Sequence, residues 1–508
     1  MSLSGALSVA AAGLANINRQ LLVVSQNVSN AGTPGYAREV STPSDVTADG
    51  IEIGVRSGIV GRSVDVGAQG LVLTQNAAVS GLQTRQAALA TIDALQGTPG
   101  QGADLASLTG RLQDAFSTLA TDPSSPAQQL AVVAAAQGLA QQVNAISAGV
   151  TAARQAAQDG LVGGVAALNA GLHDIGQLSN QIIRLQAAGQ STADLENQRD
   201  AATTGLSQLL DLKFLQQPNG DLLAVTTSGL DLPLHGATAP FQLGSATIGS
   251  TASYAAGTVP AITLNGSDVT GQVSGGRLGA DVVLRDGTLP AYQGGLDEFA
   301  ARLSQRFAQQ GLVLFTDRAG GVPLPTGTVP QGGYIGFAGT LAVNPAVVAD
   351  AALVRDGNVA IGGSAASSSA FTPNPAGGPA GFTGLLSRVL SFAFGGEIQP
   401  GVAQPPMLTS GLGSTGTLAL GFTAPATLGG FAAALVAAQA ADSGDAAAAL
   451  SRQTGVQTAL QARAASVSAV SIDQEMSSMV QLQNAYGANA RVISAVQAMW
   501  TQLLQMVA

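Results

Sequence analysis

The chain has 508 residues, of which 46% are apolar and 10% charged, with a formal net charge of −10 and no cysteine. A single lysine, Lys213, and scattered arginines form no basic patch, so neither a phosphate backbone nor an anionic membrane surface is expected as a partner. The length allows two to four domains at ~100–200 residues each, and with 65 glycines and 4% aromatics they pack through small side chains.

The first element is a stripe. Leu3, Leu7, Ala10, Leu14, Ile17, Leu21, Val24 and Val28 alternate spacings of four and three, the period of a coiled-coil seam. Ser2 is placed to cap this helix, and Gly5 and Gly13 weaken it by about 1 kcal/mol each relative to Ala. The spacing predicts a stop at Gly32, in the left-handed conformation, with Pro34 unable to continue a helix. No charged n-region precedes Arg19, so no cleaved secretory signal is predicted.

Residues 40–75 read as short strands and turns, and 76–120 as helix. Ser125-Pro126 opens a further helix with Leu130, Val133, Ala140, Val143, Ile146 and Val150 on one face. Val162, Val165, Leu168, Leu172, Ile175, Leu178, Ile182 and Leu185 form another stripe. Ser191 to Asp194 has capping-box spacing before a short helix holding "LENQRD". The texture changes near Phe214, where Asn219-Gly220 and Asn265-Gly266 predict hairpin turns. A helix is predicted over 289–311. Residues 312–426, rich in Gly, Pro, Ser and Thr, read as irregular and β-rich, and helix returns after Thr427. The uncharged run 398–441 is broken by Pro, Gly and Ser and predicts no membrane span.

From Ile472 a second stripe runs through Met476, Met479, Leu482, Tyr486, Ala490, Ile493, Val496, Trp500, Leu503 and Val507. Each striped helix would be ~40–50 Å long. Their apolar faces must be buried on each other, on neighbouring subunits, or on the chain's own domain. The fold class expected is α+β multidomain: a terminal α-helical coiled coil (1–33 and 472–508), a mainly helical rod or bundle (34–235, 276–312 and 427–471) and an inserted β-rich outer domain (236–275 and 313–426).

Catalytic chemistry is not visible. His173 and His235 are the only histidines, too few for the usual zinc sites without cysteine. No G-x-S-x-G elbow supports a triad, and Lys213 is not in a phosphate-loop context. Asp473 and Glu475 read as first-turn charges that complement a helix dipole. No enzyme, cofactor or metal site is expected.

The stretch "SLSGALSVAAAGLANINRQLLVVSQNVSNAGTPGYAREV" resembles the opening of the axial proteins of the bacterial flagellum, whose motif falls here on Asn27, Asn30, Thr33, Pro34, Gly35 and Tyr36. "LQNAYGANARVISAVQAMWTQLLQM" resembles their closing helix, with Asn484 where Gln is expected. Segments 122–144, 195–210, 275–305, 341–350 and 466–476 resemble, in order, the hook-associated branch at the hook–filament junction; 312–426 resembles no motif of the family. The resemblance implies a coiled coil of both ends, a helical domain outside it and a β-rich domain furthest from the axis. It implies export unfolded through the flagellar type III pathway to the extracellular flagellum, without membrane insertion.

The role implied is mechanical, a homo-oligomeric junction ring. Its axial neighbours would be the hook protein and a second hook-associated protein, with an export chaperone on the C-terminal helix. The assembly stripe would comprise Leu3, Leu7, Leu14, Ile17, Leu21, Val24 and Val28 with Ile472, Met476, Met479, Tyr486, Ile493, Val496, Trp500 and Leu503. The alternative within the class is another axial protein such as the hook protein. A secreted enzyme or adhesin would need a convergent polar cluster in 236–426, and a chemosensory receptor would need membrane spans.

Overall fold

The computed structural model describes residues 3–33, 35–48, 51–97, 100–236 and 239–507. The expected cap Ser2 and the motif residue Pro34 lie outside the described residues. Helix α1 (Leu3–Asn30) follows the apolar stripe. At its end Asn30 Nδ2 donates back to Gln26 O (3.1 Å), and two further turn bonds run from Thr33 N to Asn30 O and from Tyr36 N to Thr33 O. These extra turns move the left-handed residue from the expected Gly32 to Gly35 (φ 80°). By length and composition α1 could cross a membrane. It nevertheless buries Asn16 and Asn27 against protein and exposes Arg19 in mid-helix, groups that are expensive in hydrocarbon.

Strands β1 (Glu39–Ser41) and β4 (Val60–Arg62) pair antiparallel around a hairpin of β2 (Ser44–Ala48) and β3 (Ile51–Arg56), which lies against α1. Helix α2 (Val66–Gln96) is capped by Asp65 and ends at Gly97 (φ 74°). Asp104 then caps α3 (Leu105–Thr121), accepting from Gly100 N, Ser107 N and Ser107 Oγ. The single helix expected over 76–120 is therefore two. Conversely, the two stripes after Pro126 belong to one helix of 62 residues, α4 (Pro126–Ala187). Near its middle, Gly160 and Gly164 lie so close to the Asp281 and Leu278 side chains that a Cβ would push them aside. They allow close helix contact rather than a break.

Helix α5 (Ala193–Leu209) opens with Thr192 Oγ1 donating to Glu196 Oε1 (2.7 Å), one residue beyond the expected capping start. Strands β5 (Leu212–Gln216) and β6 (Leu222–Thr226) form the expected hairpin, extended by β7 (Asp231–Leu232). A second sheet holds β8 (Phe241–Gln242), β9 (Thr263–Leu264) and β10 (Ser267–Asp268), with Asn265 and Gly266 both left-handed at the β9–β10 turn, as a type I′ hairpin requires. Helix α6 (Gly276–Val283) continues through a π turn into α7 (Leu289–Gln309).

Short elements follow: β11 (Phe315–Thr316) paired with β12 (Ala342–Val343), then α8 (Pro345–Ala349), α9 (Leu353–Asp356) and α10 (Gly384–Arg388). The ribbons β13 (Glu397–Gln399) with β14 (Val402–Ala403) and β15 (Ser410–Leu412) with β16 (Leu418–Ala419) complete this part. Two long helices close the chain, α11 (Leu428–Ser468) and α12 (Ile472–Val507).

Helix α4 threads two apolar cores. Its first half joins α3, α7, the start of α11 and much of 314–394 around Phe116, Phe307, Phe315 and Phe394, whose ring centroids lie 5.4–6.2 Å apart. Its second half joins Leu206, Leu210, Phe241, Ile262 and Val273. The stretches 236–275 and 313–426, expected to share one outer domain, thus bury their apolar residues in different cores. The first packs on the second half of α4 and the other on its first half. Between the cores lies a polar waist. Buried Arg154 donates to the carbonyls of Arg285, Gly249 and Ala252, and buried Arg285 to Gln158 and Asp286.

Candidate assembly interface

Helices α1 and α12 pack as an antiparallel pair. Asn27 meets Glu475 near one end, and Gly13 lies against the Asn489 side chain two heptads further along. Of the expected stripe, Ile17, Val24 and Val496 are buried, and Leu3, Leu14, Leu21, Val28, Met479 and Ile493 half-buried. Leu7, Ile472, Met476, Tyr486, Trp500 and Leu503 stay exposed, Trp500 by 51%. The structure therefore brings together only part of the fifteen residues. Two helices cannot cover an apolar band this wide, because each covers one face of the other. Val480, Val492, Met499, Leu504 and Met506 add to the exposed side of α12.

The axial motif has a structural task. Asn27 is 1% exposed. Its Oδ1 accepts from Glu39 N (2.9 Å) and Tyr36 Oη (3.1 Å), and its Nδ2 donates to Glu39 O (2.9 Å) and Glu475 Oε2 (3.2 Å). One side-chain amide thus ties α1, β1 and α12 together, using both halves of its hydrogen-bonding capacity. Thr33 and Asn30 close the turn through Thr33 Oγ1 to Asn30 Oδ1 (3.4 Å), and Gly35 redirects the chain so that Tyr36 reaches Asn27. Burial, with the nearby Glu39, Asp194 and Glu475 carboxylates, pushes the Tyr36 phenol well above its ordinary range.

The knot extends to α5. Arg38 Nε donates to Glu475 Oε1 (2.6 Å), and Arg38 N to Ser468 O where α11 ends. Asn197 Oδ1 accepts from Ala37 N (3.2 Å), and Arg62 pairs with Glu196 and Asp200 at 2.8 and 2.6 Å. Burial, then Asp194, raises the Glu39 carboxyl, and Arg62 opposes them. Residue-by-residue reading of the sequence missed Arg38, Arg62 and Asn197, and the pairing of Glu475. The signal was present in "LENQRD", whose Glu196 and Asp200 stand one helical turn apart and both meet Arg62. Glu475 lies in the first turn of α12, as expected, and is in addition 1% exposed and paired with Arg38.

The described residues hold no cluster of three or more His, Asp and Glu suited to a metal. His235 sits at the surface, with Nε2 3.1 Å from Asp221, and His173 is exposed on α4.

Residues 89–314 match the family described as the flagellar hook-associated protein FlgK helical domain. Residues 461–506 match the flagellar basal body rod FlgEFG protein C-terminal family. The chain is 28% identical over 247 residues to flagellar hook-associated protein 1 of Salmonella typhimurium and, to the same extent, of Salmonella typhi. Each match spans 47% of this chain and 44% of the relative, so the chain spans less than half the length of the curated relatives it matches. It is also similar to a solved chain described as the flagellar hook junction protein FlgK of Burkholderia pseudomallei. That similarity has 24% identity and a TM-score of 0.40, over 50% of this chain and 45% of the other. The resemblance to the hook-associated proteins read from scattered segments is borne out by the family match and the curated relatives.

Proposed function

We propose that this FlgK-like flagellar hook-associated protein is a structural, non-enzymatic subunit of the ring that joins hook to filament. The observation that carries the reading is the FlgK helical-domain match over residues 89–314. The uncovered apolar side of α12 supports self-assembly, since an exposed stripe of this length on a polar-rimmed helix marks an interaction surface. In this reading the stripe of α1 and α12 packs between subunits around the axis. The hook protein and a second hook-associated protein are axial neighbours, and an export chaperone covers α12 before assembly. The chain leaves the cell unfolded through the flagellar type III pathway; scarce aromatics and absent cysteine suit a chain that unfolds readily.

The test is location. Gold-labelled antibody raised against residues 313–426 should decorate one narrow band where hook meets filament on intact flagella. Decoration along the whole hook would instead assign the chain to the hook itself, the alternative axial role.

A further inference from the structure

A groove of about 410 Å³ lies between the first turns of α2 and strand β5, beside the knot that anchors α12. Its apolar walls include Val66, Leu71 and Leu215, which are 68%, 56% and 51% exposed. Its polar lining carries Arg62, Arg199 and Lys213 against one carboxylate, Asp200, in a chain of net charge −10. Asp200 is already held by Arg62. Arg199 is 2% exposed and donates to Gly220 O (2.7 Å) and Ser179 Oγ (3.3 Å), while its buried Nε has no partner. Arg199 therefore lies behind the groove wall, and Lys213, exposed on β5, is the cation that an incoming carboxylate meets.

The same chain presents the complement elsewhere. At the start of α12, Ile472, Met476 and Val480 form an exposed i, i+4, i+8 ridge, 46–54% accessible, with the exposed Asp473 beside it. Ridge and groove are different patches of one surface, so their pairing is heterologous, head to tail, and closes into a ring when the rotation allows. We propose that the groove takes the Ile472–Val480 ridge of a second copy, with the Asp473 carboxylate directed at Lys213. The contact deepens the ring reading above by naming the lateral neighbour's segment, and it rests on that reading.

Lys213 is the only lysine, which makes the test specific. Equal amounts of ¹⁴N- and ¹⁵N-labelled full-length protein are mixed at a concentration where sedimentation shows oligomers, or at the solubility limit, and treated with a carbodiimide that condenses amines with carboxylates. The expected product is a mixed-isotope peptide joining Lys213 to Asp473, at least fivefold scarcer in Leu215→Asp, a surface variant whose melting temperature is checked alongside. Oligomers in which Lys213 is joined to another carboxylate, or to none, overturn the contact and leave ring assembly standing. No oligomer at any concentration overturns the contact and counts against self-assembly of this chain as well.

Discussion

Two buried aspartates at the waist and in the larger core carry the same shift and should respond oppositely to amide replacement. Burial pushes both Asp281 and Asp297 up to about 7, with Arg277 opposing the shift at Asp281. A folded-state value above the unfolded ~3.9 means that stability is fully present below about pH 4 and is lost as pH rises towards 7. Asp281→Asn removes part of that loss, so it should raise the melting temperature at pH 8, by roughly 2 kcal/mol of stability, and flatten the decline between pH 4 and 7. Asp297 accepts from Gly336 N, Ala338 N and Gln293 Nε2 using both oxygens. Asn there would set an NH₂ against a backbone N–H and destabilise by about 1–3 kcal/mol at every pH. Thermal melts across pH check both. Asn27→Ala should lower stability by about 2–3 kcal/mol, because Glu39 N and O lose their partner in a buried place; a melt within 1 °C of wild type would deny the knot its role. Of these residues, only Asn27 was legible beforehand, because it stands in a motif. The aspartates were not, because burial of a lone carboxyl depends on which distant segments close over it.

Among elements, legibility followed periodicity. Helices with an unbroken stripe, α1 and α12, and hairpins with Asn-Gly turns are where the sequence placed them. The misreadings came from glycine and from caps. Gly97 ends a helix while Gly160 and Gly164 merely let α6 approach α4, and nothing local distinguishes these uses. The seam between α1 and α12 was readable as a face, but not which part of it the pair itself would cover. That division predicts a gradient of hydrogen exchange along α12. Amides near 475–485, tied through Glu475 and Arg38 to the knot, should exchange slowest. Those beyond 497, where the described side chains are exposed, should exchange within the fraying range. Uniform protection to residue 506 in a verified monomer would mean that the outer face of α12 is covered within the chain.

At the scale of the molecule, the long insertion is less separable than its texture implied. Residues 314–394 contribute Phe315, Phe337, Leu385, Leu386 and Phe394 to the core that α3, α7 and α11 also build. Deleting 313–426 should therefore abolish cooperative unfolding of the surrounding helices, whereas an autonomous outer domain would leave it intact; calorimetry of the deletion variant decides. Composition could not reveal this, since a Gly/Pro-rich segment looks alike whether it hangs outside a core or completes one. The two cores, threaded by α4 and joined at the arginine waist, form one continuous body. The knot at Asn27 and Glu475 ties that body to a helical pair with an exposed apolar side, an arrangement that suits the ring subunit proposed above. The most direct measurement is electron microscopy of cells from which this gene alone has been removed. A junction role predicts hooks of normal length ending bare, with filament protein free in the medium and restoration by the intact gene. Normal filaments on such cells would contradict it.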